Sequence, residues 1–133
     1  MDVFDRIIAG DIPSHKIYED DSCISFLDIA PIKKGHSLVV AKRCVPTIDK
    51  LSDQEIAALF SVVRKIDAKM RESLKCDAVN ILVNDGAAAG QEVGHVHVHL
   101  LPRFNGDGGF DIRVKEKYDD GEAVRFCELL KLL

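Results

Sequence analysis

Residues 95–101 read His-Val-His-Val-His-Leu-Leu. Alternation of this kind has a period of two, which is the period of a β-strand, because successive side chains point to opposite faces. The pattern predicts a strand from His95 to Leu101, stopped by Pro102, with Val96, Val98 and Leu100 packed and three imidazoles facing a cleft. Residues two apart on one face lie about 7 Å apart, close enough for rings to share a ligand or perturb each other's protonation. Only five histidines occur in 133 residues, and three fall here, so a chance His-rich surface strand is the weaker reading. Three chemistries can use such an array. Neutral imidazoles can bind a metal, one can attack phosphorus while neighbouring donors stabilise charge, or together they can hold a phosphate anion with no reaction.

Around this strand the chain reads as one domain spanning residues 1–133, with no repeat or linker rich in Pro, Gly and Ser. Val3 to Ala9 is a short helix ended by Gly10, and Lys16 to Glu19 and Cys23 to Leu27 are strands joined by an Asp20-Asp21-Ser22 turn. His36 to Lys42 and Ala78 to Val83 are further strands. The clearest helix runs from about Ser52 to Leu74. Ser52 and Glu55 form a capping box, and Ile56, Leu59, Phe60, Val63, Ile66, Met70 and Leu74 make one apolar stripe. Core packing is the favoured reading of that stripe over a cofactor groove. A polar tail over 103–133 ends in an amphipathic helix near Glu122 to Leu132. Tight turns between strands imply antiparallel pairing, so the predicted class is α+β, about five strands with one long and one or two shorter helices laid on one face.

Charge and cysteine usage narrow the function. Eighteen basic against 22 acidic residues give a net charge of −4, which lacks the footprint of a nucleic-acid binder but leaves room for a small phosphate ligand. The four scattered cysteines form no CxxC pair, and Asp2, Asp5 and Arg6 interrupt any leader. No apolar run is long enough to span a membrane. A reducing cytoplasmic compartment is expected, with a nuclear pool left open.

The run His95-Val96-His97-Val98-His99-Leu100-Leu101 resembles the signature of the histidine triad (HIT) family. The likeness extends over Phe4 to Pro13, Phe26-Leu27-Asp28-Ile29-Ala30-Pro31, Gly35-His36-Ser37-Leu38-Val39-Val40, Asn84-Asp85-Gly86 and Gly90-Gln91-Glu92-Val93-Gly94, and is greatest to the Hint-like nucleotide-binding branch. The resemblance implies a HIT-like fold and a homodimer joined near Ser52 to Leu74 and Ala78 to Val83. It implies a purine nucleotide hydrolase acting at the α-phosphorus of phosphoramidates or acyl-adenylates, with an AMP-like product. His97 matches the nucleophile that becomes nucleotidylated, His99 the phosphate contact, and His95 the residue whose carbonyl fixes the His97 tautomer. Gln91 and Asn84 match phosphate-side and ribose-side contacts, and Asp28 the acceptor for the ribose hydroxyls. Phe4, Ile7 and Ile29 match the apolar clamp on the base, and Gly90, Glu92 and Val93 fall in the adjoining loop. His15 and His36 are assigned to structure or surface. The stretch His99-Leu100-Leu101-Pro102-Arg103 also resembles dinucleoside polyphosphate hydrolases, and a nucleotide-binding scaffold with vestigial catalysis is a further alternative.

The chain departs from the family at identifiable positions. Many Hint-like members hold a structural zinc with an N-terminal CxxC pair, a His after a Lys/Arg pair, and the first triad His. Here Asp2, Asp5 and Cys44 replace the first three, with only His95 retained. With three of the four ligands changed, no structural zinc is expected; a weak mixed site of Asp2, Asp5, Cys44 and His95 is the lesser alternative, because it mixes hard and soft ligands. Glu92 stands where many members carry Ser or Thr, so leaving-group preference is expected to differ.

Overall fold

Alternation along three neighbouring strands sorts the core onto two faces of a single sheet. The computed structural model describes residues 1–132. Strands β1 (Lys16–Glu19), β2 (Cys23–Leu27), β3 (Ser37–Ala41), β4 (Ala78–Leu82) and β5 (His97–Arg103) form an antiparallel sheet in the order β1-β2-β3-β5-β4. Helices α1 (Val3–Ala9), α2 (Asp53–Leu74) and α3 (Glu122–Leu130) complete the α+β fold. On one face Leu27, Val39, Val98 and Leu100 pack under α2 and α3. On the other, Ile24, Phe26, Leu38 and Val40 pack under Phe4 of α1.

This two-sided burial corrects the expectation of helices on one face only. Every residue of β2 and β3 is buried, the pattern of strands covered on both sides. α1 supplies the second cover. Its N-terminus is capped by reciprocal bonds between Asp2 and Asp5, and it stops at Gly10, whose φ of 84° continues no helix.

α2 follows its sequence signals closely. Ser52 caps it in a box with Glu55, and Leu59, Val62, Val63, Ile66 and Met70 are buried. Each such side chain contributes about 1.5–3 kcal/mol on burial. Phe60 does not belong to the stripe: it is 39% exposed, and Val62 takes the inward position. The helix carries the chain from β3 to β4, and β5 then inserts between those two strands.

Two boundaries also differ from the expected ones. β5 begins at His97, not His95, and continues through Pro102 to Arg103. Pairing with β3 ends at Ser37 opposite Leu100, so Pro102 lies where one side of β5 has no partner strand and its missing N–H interrupts no ladder on that side. The segment after β5 is not a loose tail. α3 packs on α2 and β1, burying Cys127 and Leu130.

Candidate active site

The face of β5 opposite α2 carries His97 and His99, with ring centroids 4.8 Å apart. Both line a cavity of about 310 Å³ between α1, the loop after β2 and the loop before β5. Their hydrogen bonds give the two rings opposite tautomers. His97 Nδ1 lies 2.7 Å from the carbonyl oxygen of His95. A carbonyl only accepts, so Nδ1 carries the proton and Nε2 of the neutral ring keeps its lone pair. Burial lowers the His97 pKa, against the His95 carbonyl that raises it, so the neutral form is favoured.

His99 is set from the other side by His36, which is fully buried. The Ile32 backbone N–H donates to His36 Nδ1 at 3.1 Å. The proton of neutral His36 then sits on Nε2, which is 2.9 Å from His99 Nδ1 and donates to it. His99 is left with its proton on Nε2. Burial, followed by the neighbouring His charges, pushes His36 down to about 3 and His99 down to about 4. One ring thus keeps an electron pair for the site and the next keeps an N–H. The structure corrects the expectation of a merely structural or surface role for His36, whose partner lies 63 residues away in sequence, beyond any local pattern.

The remaining expected residues divide into two groups. Phe4, Ile7, Ile29 and Val93 line the apolar part of the cavity, and Asp28, Asn84, Gly90 and Glu92 line the rest. The Phe4 ring meets His97 edge-on at 4.9 Å. Burial raises the Asp28 pKa, partly offset by the Ala30 N–H on its carboxylate at 2.9 Å. Gly90 adopts φ 97°, a left-handed turn that closes the loop beside the site. Gln91 and His95 do not line the cavity. Gln91 spends its amide on backbone, accepting from Gly86 N–H at 2.8 Å and donating to Pro46 carbonyl at 2.7 Å. Ile112 and Lys115 line the cavity without having been anticipated, since nothing in their local pattern marks them.

His95 corrects the picture of three imidazoles on one cleft. Its fully buried ring turns toward α1, where Nδ1 is 3.1 Å from Asp2 and Nε2 approaches the Ala41 carbonyl. Donor atoms of Asp2, Asp5, Cys44 and His95 lie within 4.8 Å of one another. These residues do not fit the closed structural zinc site of Cys and His ligands. The Asp2 and Asp5 carboxylates already cap α1. Partial burial, then those two carboxylates, push the Cys44 thiol up to about 11, and it donates to Asp2. Among the described residues, no buried side-chain polar atom lacks a partner.

A five-stranded antiparallel sheet with alternate histidines facing a clefted N-terminal helix defines the histidine-triad architecture. A family model for the HIT domain matches residues 9–106. An uncharacterized HIT-like protein of Methanocaldococcus jannaschii is 44% identical over 131 residues, covering 98% of this chain and 97% of that protein. Adenylylsulfatase HINT3 of Arabidopsis thaliana is 42% identical over 105 residues, covering 79% of this chain but only 53% of that protein. The crystal structure of a Zn-bound histidine triad family protein from Mycobacterium smegmatis superposes with a TM-score of 0.85 at 37% identity, covering 96% of this chain and 91% of that one. The chain belongs to the HIT domain family.

Proposed function

We propose that this protein is a purine nucleotide hydrolase that cleaves phosphoramidates or acyl-adenylates at the α-phosphorus and releases a nucleoside monophosphate. The opposite tautomers of His97 and His99 carry this reading. His97 Nε2 attacks phosphorus, an N–P bond forms, and the leaving group departs with the electron pair of its bond to phosphorus. An amine leaving group also takes up a proton, drawn from solvent water. Water then attacks the nucleotidyl-histidine, the N–P bond breaks, and the proton of the water passes to solvent. His99 Nε2–H donates to a phosphate oxygen as charge develops there. Asp28 accepts from the ribose hydroxyls, Asn84 and Gly90 border the sugar and phosphate, and the base lies among Phe4, Ile7, Ile29 and Val93. Glu92 faces the leaving group. His95 acts through its carbonyl, and Gln91 by holding the Gly86–Gly90 turn.

Turnover of adenosine phosphoramidate, adenylyl sulfate and a diadenosine polyphosphate by the wild type, His97→Ala and His97→Gly tests the reading. Loss of turnover with nucleotide binding retained is expected. Undiminished turnover in both variants overturns the nucleophile. Preference for the diadenosine substrate selects polyphosphate hydrolysis, and binding without wild-type turnover selects a scaffold.

Two further features belong to the same proposal. The protein works without structural zinc, the contact between Asp2, the N-cap of α1, and His95, just before β5, tying the two together instead. Stoichiometric zinc in protein purified without chelator overturns that. It is also a homodimer joined through α2 and the edge strand β4, each of which exposes a large apolar side chain, Phe60 and Ile81. Its four free cysteines suit a reducing cytoplasm. Among the described residues no helix is long and apolar enough to cross a membrane.

A further inference from the structure

The family match ends at residue 106, but the cavity does not. The chain beyond it returns over the loop that follows β2 and is tied there at two points. Glu116 N–H donates to the Pro31 carbonyl at 2.6 Å, and Gly35 N–H donates to the Tyr118 hydroxyl at 2.8 Å. Tyr118 in turn packs on Phe126 of α3, with ring centroids 5.7 Å apart. The strap so anchored brings Ile112 and Lys115 into the wall of the cavity that holds His97 and His99.

Lys115 is the one Lys or Arg among the described residues lining this cavity, and Asp28 and Glu92 are its two carboxylates. With both imidazoles neutral, the protein offers no other full positive charge to a substrate there. Leaving groups differ in what they ask of such a site. A carboxylate, sulfate or phosphate departs as an anion and needs a counter-charge, which Asp28 and Glu92 oppose. An amine departs neutral and needs a proton instead. The charge of Lys115 also reaches Asp28, read above as the ribose acceptor, and His36 and His99, which orient and contact the phosphate in that reading.

We propose that Lys115, presented by the strap over residues 111–118, sets leaving-group specificity in favour of nucleotides whose leaving group departs as an anion. This rests on the α-phosphorus hydrolase reading and narrows it to mixed anhydrides of the acyl-adenylate or adenylyl-sulfate type. In the first step the His97 Nε2–P bond forms and the P–O bond to the leaving group breaks. The carboxylate or sulfate keeps the electron pair, and its charge develops beside the Lys115 ammonium with no proton transferred. Lys115 is side-chain exposed, so its replacement should leave the fold intact.

The test compares kcat/KM for adenylyl sulfate and adenosine phosphoramidate in the wild type and in Lys115→Ala, Lys115→Met and Lys115→Arg. The ratio of the two should fall about tenfold in the Ala and Met variants, the scale of one partly screened charge pair. It should recover in the Arg variant, and the wild-type ratio should shrink as salt rises. A ratio unchanged by Lys115→Ala overturns the proposal. A parallel arm measures binding of both compounds in His97→Ala with and without Lys115→Ala, where preference for adenylyl sulfate should again be lost. If the wild type turns over neither compound, the hydrolase reading fails, and the binding ratio still decides the role of Lys115.

Discussion

At the scale of single residues, the site depends on where three protons sit. In the proposed reaction His97 must be neutral to attack, and burial lowers its pKa from the ordinary 6.5. The acid limb of kcat/KM should therefore fall below pH 6.5, and a limb centred at or above 6.5 would contradict the assignment. Stability follows the same sign. His36 and His99 titrate at about 3 and about 4 when folded, against 6.5 unfolded. The unfolded chain binds more protons between those values, so their contribution is complete above pH 6.5 and is lost as pH falls toward 4 and then 3. His36→Gln removes the ring that orients His99. One oriented hydrogen bond to a developing charge contributes about 1.5 kcal/mol or more, so kcat should drop roughly tenfold while KM moves little. An unchanged kcat would leave His36 a merely structural residue. Period-two alternation made His97 and His99 legible. It placed His95 wrongly because alternation continues past the point where ladder pairing begins. The part played by His36 depends on a contact 63 residues distant, which no local pattern encodes.

Among the elements, α2 was the most legible, because its capping box and its stripe are local in sequence. α1 and α3 were legible as helices but not in where they dock. The run Val3 to Ala9 does not say which face of the sheet it covers, and Ser25 and Ser37 interrupt the apolar runs of β2 and β3, so cover on both faces was not legible from the strands. The docking of α3 gives an expected contrast. Leu130 is fully buried and its neighbour Leu129 is 45% exposed. Leu130→Ala should cost about 2–5 kcal/mol in urea denaturation, and Leu129→Ala about 0.5 kcal/mol or less. Equal effects would mean that α3 is a loose appendage.

For the whole molecule, the α+β class and the five-stranded sheet followed from turn signals and strand periods. The strand order did not, because β5, last in sequence, enters between β3 and β4. That order leaves β4 at an edge with Ile81 44% exposed. Such an edge is a template for pairing with another chain. Sedimentation at several concentrations should show a dimer for the wild type, and Ile81→Lys should shift it toward monomer. A wild-type monomer at every concentration would remove the dimer. The net charge of −4 is compatible with an anionic substrate only because positive character is local, in N–H groups and one lysine.

The crowding of Cys44 against two carboxylates has a chemical consequence. Electrophiles and oxidants react with thiolate, and the reactivity of a cysteine follows the fraction in that form. Cys44 is the exposed thiol of the four, yet it keeps its proton to about pH 11. The sulfur most open to solvent is therefore slow to alkylate or form mixed disulfides near neutrality, because partial desolvation and then two neighbouring carboxylates hold its proton in place.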